Sequence, residues 1–299
     1  MDAINVLMLL RGIARDAAPI AYFYLLFSID LIKESKSLSN KLTAKGSLPS
    51  FFNMGLIRKV SIEEYWNKHS PSKSTPWFRC MFSRNRFQNI LKFLHLVDTK
   101  KLPKRNDPAY RPSQRFKPLL DFVNRKFLRF YNPRRELAVD EFLVGTKGKT
   151  SMLQYIPSKR SRFGVKFWML VESVTGYVLQ MNVYHGKRFD PTPAGTLQGT
   201  NEVMNLMKSS NLLGKSFHVF ADSFFASLNL SKKLLRERTY LTCTMRKNRP
   251  MPQMIKNARP QKGMLFIRDK DKSFFAVSET TIEKNQSHWC LLSIILLIH

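Results

Sequence analysis

Between Ala18 and Leu42 the apolar residues Tyr22, Leu25, Leu26, Ile29 and Ile32 recur every three or four positions, as a helix with one buried stripe requires. A loop from Lys45 to Phe52, containing Gly46 and Pro49, follows. In SIEEYW, Ser61 is placed to cap a further helix, with Glu64 three residues on as in a capping box. Beyond the loop HSPSKSTP, the positions Phe82, Phe87, Ile90, Leu91, Leu94 and Leu96 repeat at helical spacing again. Residues 98–112 combine four Lys/Arg before Asp107 with three prolines, which predicts a surface crossing and not a packed element. PLLDFVNRKFLRFY, residues 118–131, returns to the helical period.

After Pro133 the pattern changes. ELAVDEFLV, FGVKFWMLVES and GYVLQMNVYHG are short runs rich in strand-forming residues, separated by GTKGKTS and SVTG, and they predict a three-stranded antiparallel meander. In residues 200–211 Val203, Leu206 and Met207 share a helical face behind Thr200 as N-cap. SFHVFAD is a continuous apolar strand of the kind buried in a parallel sheet, ASLNLSKKLLRER is helical, and YLTCTM is a fifth strand. Three strands followed by alternation is the order of a ribonuclease H-like α/β core, here preceded by a mostly helical N-terminal region.

The bulk numbers narrow the classes of partner. With 299 residues, 43% of them hydrophobic and 12% aromatic, the chain can bury a substantial core. Fifty Lys and Arg against 21 Asp and Glu leave a net charge of +29, which favours a polyanion and nucleic acid first. An anionic membrane surface would suit the charge too, but no lipidation motif accompanies it. Arg11, Arg15 and Asp16 interrupt the apolar run NVLMLL, and CLLSIILLI falls short of the roughly 20 residues of a membrane span, so a soluble intracellular protein is expected. Cys80, Cys243 and Cys290 are odd in number and far apart, which predicts neither a disulfide framework nor a zinc site.

Candidate chemistry rests on Asp140 in ELAVDEFLV and Asp222 in KSFHVFADSFF. In the expected topology the first and fourth strands are neighbours, so the two carboxylates converge and would repel unless a cation sat between them. Mg²⁺ suits such oxygen ligands and serves phosphodiester displacement. The alternative is that both aspartates simply cap turns at strand ends. Glu141 should point to the opposite face of its strand.

Residues 145–166 carry Lys147, Lys149, Lys159, Arg160, Arg162 and Lys166 with no acid, a candidate phosphate-binding segment beside the first carboxylate, or else a solvated hairpin. Residues 245–272 hold nine Lys/Arg, among them Arg246, Lys247 and Arg249, against two Asp. They form a second phosphate track, a basic connector or a nuclear-import signal. His185 and His218 are expected to be packing residues, and Phe163, Phe167 and Trp168 core or sheet-face residues in preference to base-stacking platforms.

NMGLIRKVSIEEYW, MFSRNRFQNILKFLHLVD, RELAVDEFLVGTKGKTSMLQYIPSKRSRFGVKFWMLVES and ADSFFASLNLSKKLLRERTYLTCTMRKNR together resemble the piggyBac family of transposases and their domesticated derivatives, from about residue 20 to residue 277. The resemblance implies a cut-and-paste DNA transposase with a ribonuclease H-like core, three metal-binding aspartates, Mg²⁺ when catalytic, and insertion at TTAA targets. Asp140 matches the first aspartate and Asp222 the second. The segment resembling YNxxKGGVDxxDQ that carries the third, and a cysteine-rich zinc module, have no counterpart in these 299 residues. The core is therefore expected to be incomplete at its C-terminus, and DNA binding is expected in preference to DNA cutting. An active Mg²⁺-dependent transposase and a non-functional fragment are the alternatives.

The same resemblance makes MLFIRDKDKSFFAVS a hairpin, with Asp269 and Asp271 as hairpin residues. The expected organisation is a helical region at 1–112 for dimerisation or DNA binding, a partial core at 113–278 and a divergent tail at 279–299. Nuclear localisation, DNA carrying element ends and TTAA targets, a homodimer and no membrane complete the expectation.

Overall fold

The computed structural model describes Ser50, residues 53–93, 96–159, 161–246 and 248–257, and the strand backbones at 264–268, 273–284 and 287–298. The helix expected between Ala18 and Leu42 lies outside these residues. The chain forms two compact units that divide between Val123 and Asn124.

In the first unit, SIEEYW is a single 3-10 turn over Glu63–Trp66, and not the capped α-helix expected. Ile62 precedes it in helical backbone geometry and supplies no side-chain cap, so Ser61 does not play that part. Aromatic packing drives the turn instead. Tyr65 and Phe78 are buried with ring centroids 4.7 Å apart, and the Tyr65 hydroxyl donates to the Ile57 carbonyl at 2.7 Å. Helices α1 (Pro76–Met81) and α2 (Arg84–Phe93) follow, with Phe82 ending the first of them. Trp66 donates its indole N–H to the Phe82 carbonyl at 2.7 Å and packs on Phe87.

Helix α3 (Lys117–Phe130) appears at the predicted place. From Asn124 onward it belongs to the larger unit, where the Asn124 side chain pairs with both backbone groups of Met181, at 2.8 and 2.9 Å. The meander comprises β1 (Glu136–Gly145), β3 (Phe163–Glu172) and β4 (Val178–Val183), as expected, with a short extra strand β2 (Leu153–Tyr155) beside β4 on the same edge of β3. The β3–β4 turn is held by Glu172, fully buried, which accepts from the Thr175 and Val174 N–H groups and from the Tyr131 and Thr175 hydroxyls. Burial pushes its carboxyl up, and these hydrogen bonds outweigh burial and hold it below the ordinary glutamate value.

Next come α4 (Gln198–Ser209), β5 (His218–Ala221), α5 (Leu228–Arg236) and β6 (Tyr240–Met245). Thr200 does not cap α4, which begins at Gln198. It is buried inside the helix and shares a 2.8 Å hydrogen bond with Ser227, the residue that caps α5. Strand β5 lies parallel between β1 and β6, giving the order β4-β3-β1-β5-β6 for the central strands. Leu137, Val139, Trp168, Leu170, Val219 and Leu241 form one face of the sheet and are buried with residues of α4 and α5, among them Val203, Leu206, Leu230 and Leu234.

A short helix α6 (Gln253–Asn257) precedes the last strands. Strands β7 (Met264–Arg268) and β8 (Ser273–Lys284) form the expected hairpin. Strand β8 runs on past Ser278, and residues 287–298 supply β9, antiparallel to both β8 and β6.

Candidate nucleic-acid interface

Two strands bring the paired aspartates level. In the parallel β1–β5 register Val139 lies opposite Ala221, so Asp140 and Asp222 each sit one residue further along adjacent strands. Adjacent strands are about 4.8 Å apart. Side chains alternate across the sheet, so with Leu137, Val139 and Val219 committed to the core, Asp140 and the continuation of β5 at Asp222 fall on the opposite face. Both aspartates are exposed. One oxygen of each carboxylate accepts the next residue's N–H, from Glu141 at 2.7 Å and from Ser223 at 2.5 Å. Among the described residues the second oxygen of each has no hydrogen-bond partner. Two side-by-side carboxylates on a solvent-facing sheet fit a hard divalent cation such as Mg²⁺, with water completing its shell. Among the described residues no group of three or more potential metal ligands forms.

The turn that carries Asp222 is clamped from three sides. The Phe225 N–H donates to the Asp222 carbonyl at 3.0 Å. Trp168, buried on β3, stacks on Phe224 at 5.5 Å and meets Phe225 edge-on at 5.6 Å. Gly199 of α4 lies so close that a Cβ there would come within 2.7 Å of the Phe225 Cα, so only glycine allows the helix to pack against this turn.

From the other side come two of the candidate phosphate ligands. Arg246 donates its Nε to the Ser223 hydroxyl at 3.0 Å, and Arg249 donates to the Phe224 carbonyl at 3.1 Å. Both cations are thereby tied to residues immediately following Asp222. Lys147 and Lys149 are exposed in the turn after β1, whose last residue, Gly145, lies about 17 Å along the strand from Asp140. Arg162 is exposed just before β3, and Lys159 lies 3.9 Å from Glu141. Arg160 and Lys247 fall outside the described residues.

Lys166 stands apart from these. It pairs in register with Leu143, on the Glu141 and Trp168 side of the sheet and not on the Asp140 side. Its ammonium lies 3.7 Å from the Trp168 ring centroid, and burial lowers its pKa. Two histidines make structural contacts: His185 pairs with Asp190 at 3.0 Å, and His218 bonds Thr242 at 2.7 Å and stacks on Phe220.

Glu202 on α4 was not singled out by any motif. It lines a groove of about 720 Å³ with Asp190, Asn201, Asn205, Lys233 and Arg236. Burial, with a smaller contribution from Asp190, pushes its carboxyl up to about 7, against the pull of Lys166. A folded-state value above the unfolded one means that the stabilisation is complete at low pH and is lost as pH rises through about 7. The substitution Glu202→Gln is expected to leave stability near pH 5 little changed and to raise it progressively toward pH 8, read by thermal unfolding at both values. Equal melting-temperature differences at the two pH values would contradict this.

A meander whose first strand is joined in parallel by a fourth, with carboxylates level at that junction, defines a ribonuclease H-like α/β protein. A family model described as Transposase IS4 matches residues 50–287, and the chain belongs to this family, whose members here are of the piggyBac type. It is 30% identical over 168 residues to the human PiggyBac transposable element-derived protein 3, covering 55% of this chain and 27% of that protein. The same identity over 168 residues links it to the human Chimeric ERCC6-PGBD3 protein, covering 15% of that one. Among solved structures, the piggyBac transposase in a synaptic complex with hairpin DNA superposes with a TM-score of 0.75 at 21% identity, covering 93% of this chain and 60% of that one. The chain thus spans less than a third of the length of the curated relatives it matches.

Proposed function

We propose that this chain is a piggyBac-type, transposable-element-derived protein that binds DNA, with Asp140 and Asp222 as a divalent-cation pair and the surrounding Lys and Arg as phosphate contacts. The observation that carries the reading is the convergence of the two carboxylates with Arg246 and Arg249 tied to the same turn, in a chain of net charge +29. Cations beside an anionic pair make sense when the ligand is a phosphate backbone and the pair itself is neutralised by a metal ion. A bound Mg²⁺ would supply Lewis-acid stabilisation to a phosphate oxygen. The DNA partner is supported by the superposable transposase, which was solved on hairpin DNA. The reading includes nuclear localisation, element ends or TTAA-containing DNA as the partner, and binding in preference to cleavage.

Alanine at both Arg246 and Arg249 is expected to weaken binding of a DNA duplex about tenfold or more in fluorescence anisotropy at physiological salt, and to flatten its salt dependence. Alanine at both Asp140 and Asp222, in metal-free buffer, is expected to leave binding intact or slightly tighter, because two negative charges facing the backbone are removed. Equal losses in the two double variants would sink the assignment.

The paired carboxylates also favour a second reading, Mg²⁺-dependent strand transfer. It predicts nicking of duplex DNA under Mg²⁺ or Mn²⁺ that Asp140→Ala abolishes.

A further inference from the structure

The sheet face that carries Asp140 also carries a row of exposed rings. On β1, Phe142 is 55% and Val144 44% exposed; on β2 and β3, Tyr155 is 56% and Phe163 53% exposed. These residues share one face. Val144 pairs with Val165, Val165 with Leu153, and Phe163 with Tyr155, all in antiparallel register, while Asp140 pairs with Met169 on the same alternation. The Tyr155 and Phe163 rings lie 4.8 Å apart, centroid to centroid, at 37°. Exposed apolar side chains gathered on one sheet face are a candidate interaction site.

The charge around the rings identifies the occupant. Arg162 directly precedes Phe163, and the Thr146 N–H donates to the Phe163 carbonyl at 3.2 Å, which brings the turn with Lys147 and Lys149 alongside. No acid occurs in residues 145–166. A second copy of this chain would press lysines and arginines against their own kind. An anionic ligand with flat apolar faces matches both features, and nucleobases on a phosphate backbone are such a ligand. Base faces are hidden within a duplex, so the fit is to unpaired nucleotides.

The geometry points to Tyr155 and Phe163, extended toward Asp140 by Phe142, as a stacking platform for unpaired bases of a DNA strand whose phosphates meet Lys147, Lys149 and Arg162. The platform rests on the DNA-binding reading above and specifies its ligand further. Five residue steps separate Asp140 from Gly145, about 17 Å, so the Tyr155–Phe163 pair lies at the far end of β1 from the carboxylates.

The test compares a single-stranded oligothymidylate with a duplex of the same length, by fluorescence anisotropy, using the wild-type chain, Tyr155→Leu/Phe163→Leu and Tyr155→Phe. Leucine keeps apolar bulk and removes the π-face. The leucine pair is expected to lose roughly tenfold or more in single-strand affinity while duplex affinity changes less than about twofold, and Tyr155→Phe is expected to retain single-strand binding. Unchanged single-strand affinity in the leucine pair, with the duplex still bound, overturns the platform and leaves the DNA-binding reading standing. Failure of the wild-type chain to bind either DNA removes that reading and the platform together. A change in sedimentation between the wild-type chain and the leucine pair would assign the face to self-association and overturn the platform as well.

Discussion

Trp168→Ala is expected to lower stability by about 3–5 kcal/mol in urea denaturation, the largest effect of any single substitution in the sheet. Trp168 is 1% exposed and touches Phe224, Phe225, Tyr184 and Lys166. Its removal opens a cavity beneath the Asp222 turn and strips Lys166 of the ring that accommodates its half-buried charge. The indole N–H itself is buried and finds no acceptor among the described residues. Trp168→Phe keeps most of the packing and deletes that unsatisfied donor, so it should be much milder, within about 1.5 kcal/mol of wild type. Equal losses for the alanine and phenylalanine variants would show that ring packing is not what Trp168 contributes.

The second large effect concerns the aspartate pair. A divalent cation that binds the folded chain stabilises it by about 2.7 kcal/mol at a hundredfold excess over its Kd. Mn²⁺ or Mg²⁺ is therefore expected to raise the melting temperature of the wild-type chain by several degrees, and Asp140→Asn or Asp222→Asn alone should abolish the shift. Each variant leaves one carboxylate, which is too few to compete with water for a hard cation. A shift that persists in both single variants would place the cation elsewhere. One that survives only in Asp222→Asn would leave Asp140 as a ligand without its neighbour.

The strand order was legible because the apolar runs change period after Pro133 and because SFHVFAD is apolar without alternation, which predicts a parallel strand buried on both faces; only the Val219 face is covered, and Phe220 on the other is 37% exposed. The adjacency of β1 and β5 then follows from the topology, and with it the convergence of Asp140 and Asp222. What escaped the sequence depends on contacts far apart in the chain. Thr200 has the side chain of an N-cap, yet its hydroxyl is taken by Ser227, 27 residues away, and the helix begins before it. Glu64 stands three residues after Ser61 as in a capping box, but the local aromatic cluster shortens that element to one 3-10 turn. Three residues of β2 are too few to show a period.

The basic residues were legible as a composition and not as a site. Lys166 and Lys147 look alike in the sequence, and only the register assigns Lys166 to the Trp168 side. Nothing in the sequence links Arg246 to Ser223, 23 residues earlier, or Arg249 to Phe224. Phe163 is a sheet-face residue as its alternation implies, but alternation alone does not say which face is left open.

The most direct test of the account is the salt dependence of duplex DNA binding by the wild-type chain and by a variant with alanine at Lys147, Lys149, Arg246 and Arg249. Each phosphate contact contributes a slope of about −0.9 in log K against log[salt]. The wild-type chain should bind with a steep negative slope, and the quadruple variant should lose affinity together with about three to four units of that slope. Affinity that is independent of salt, or identical slopes for the two proteins, would contradict it.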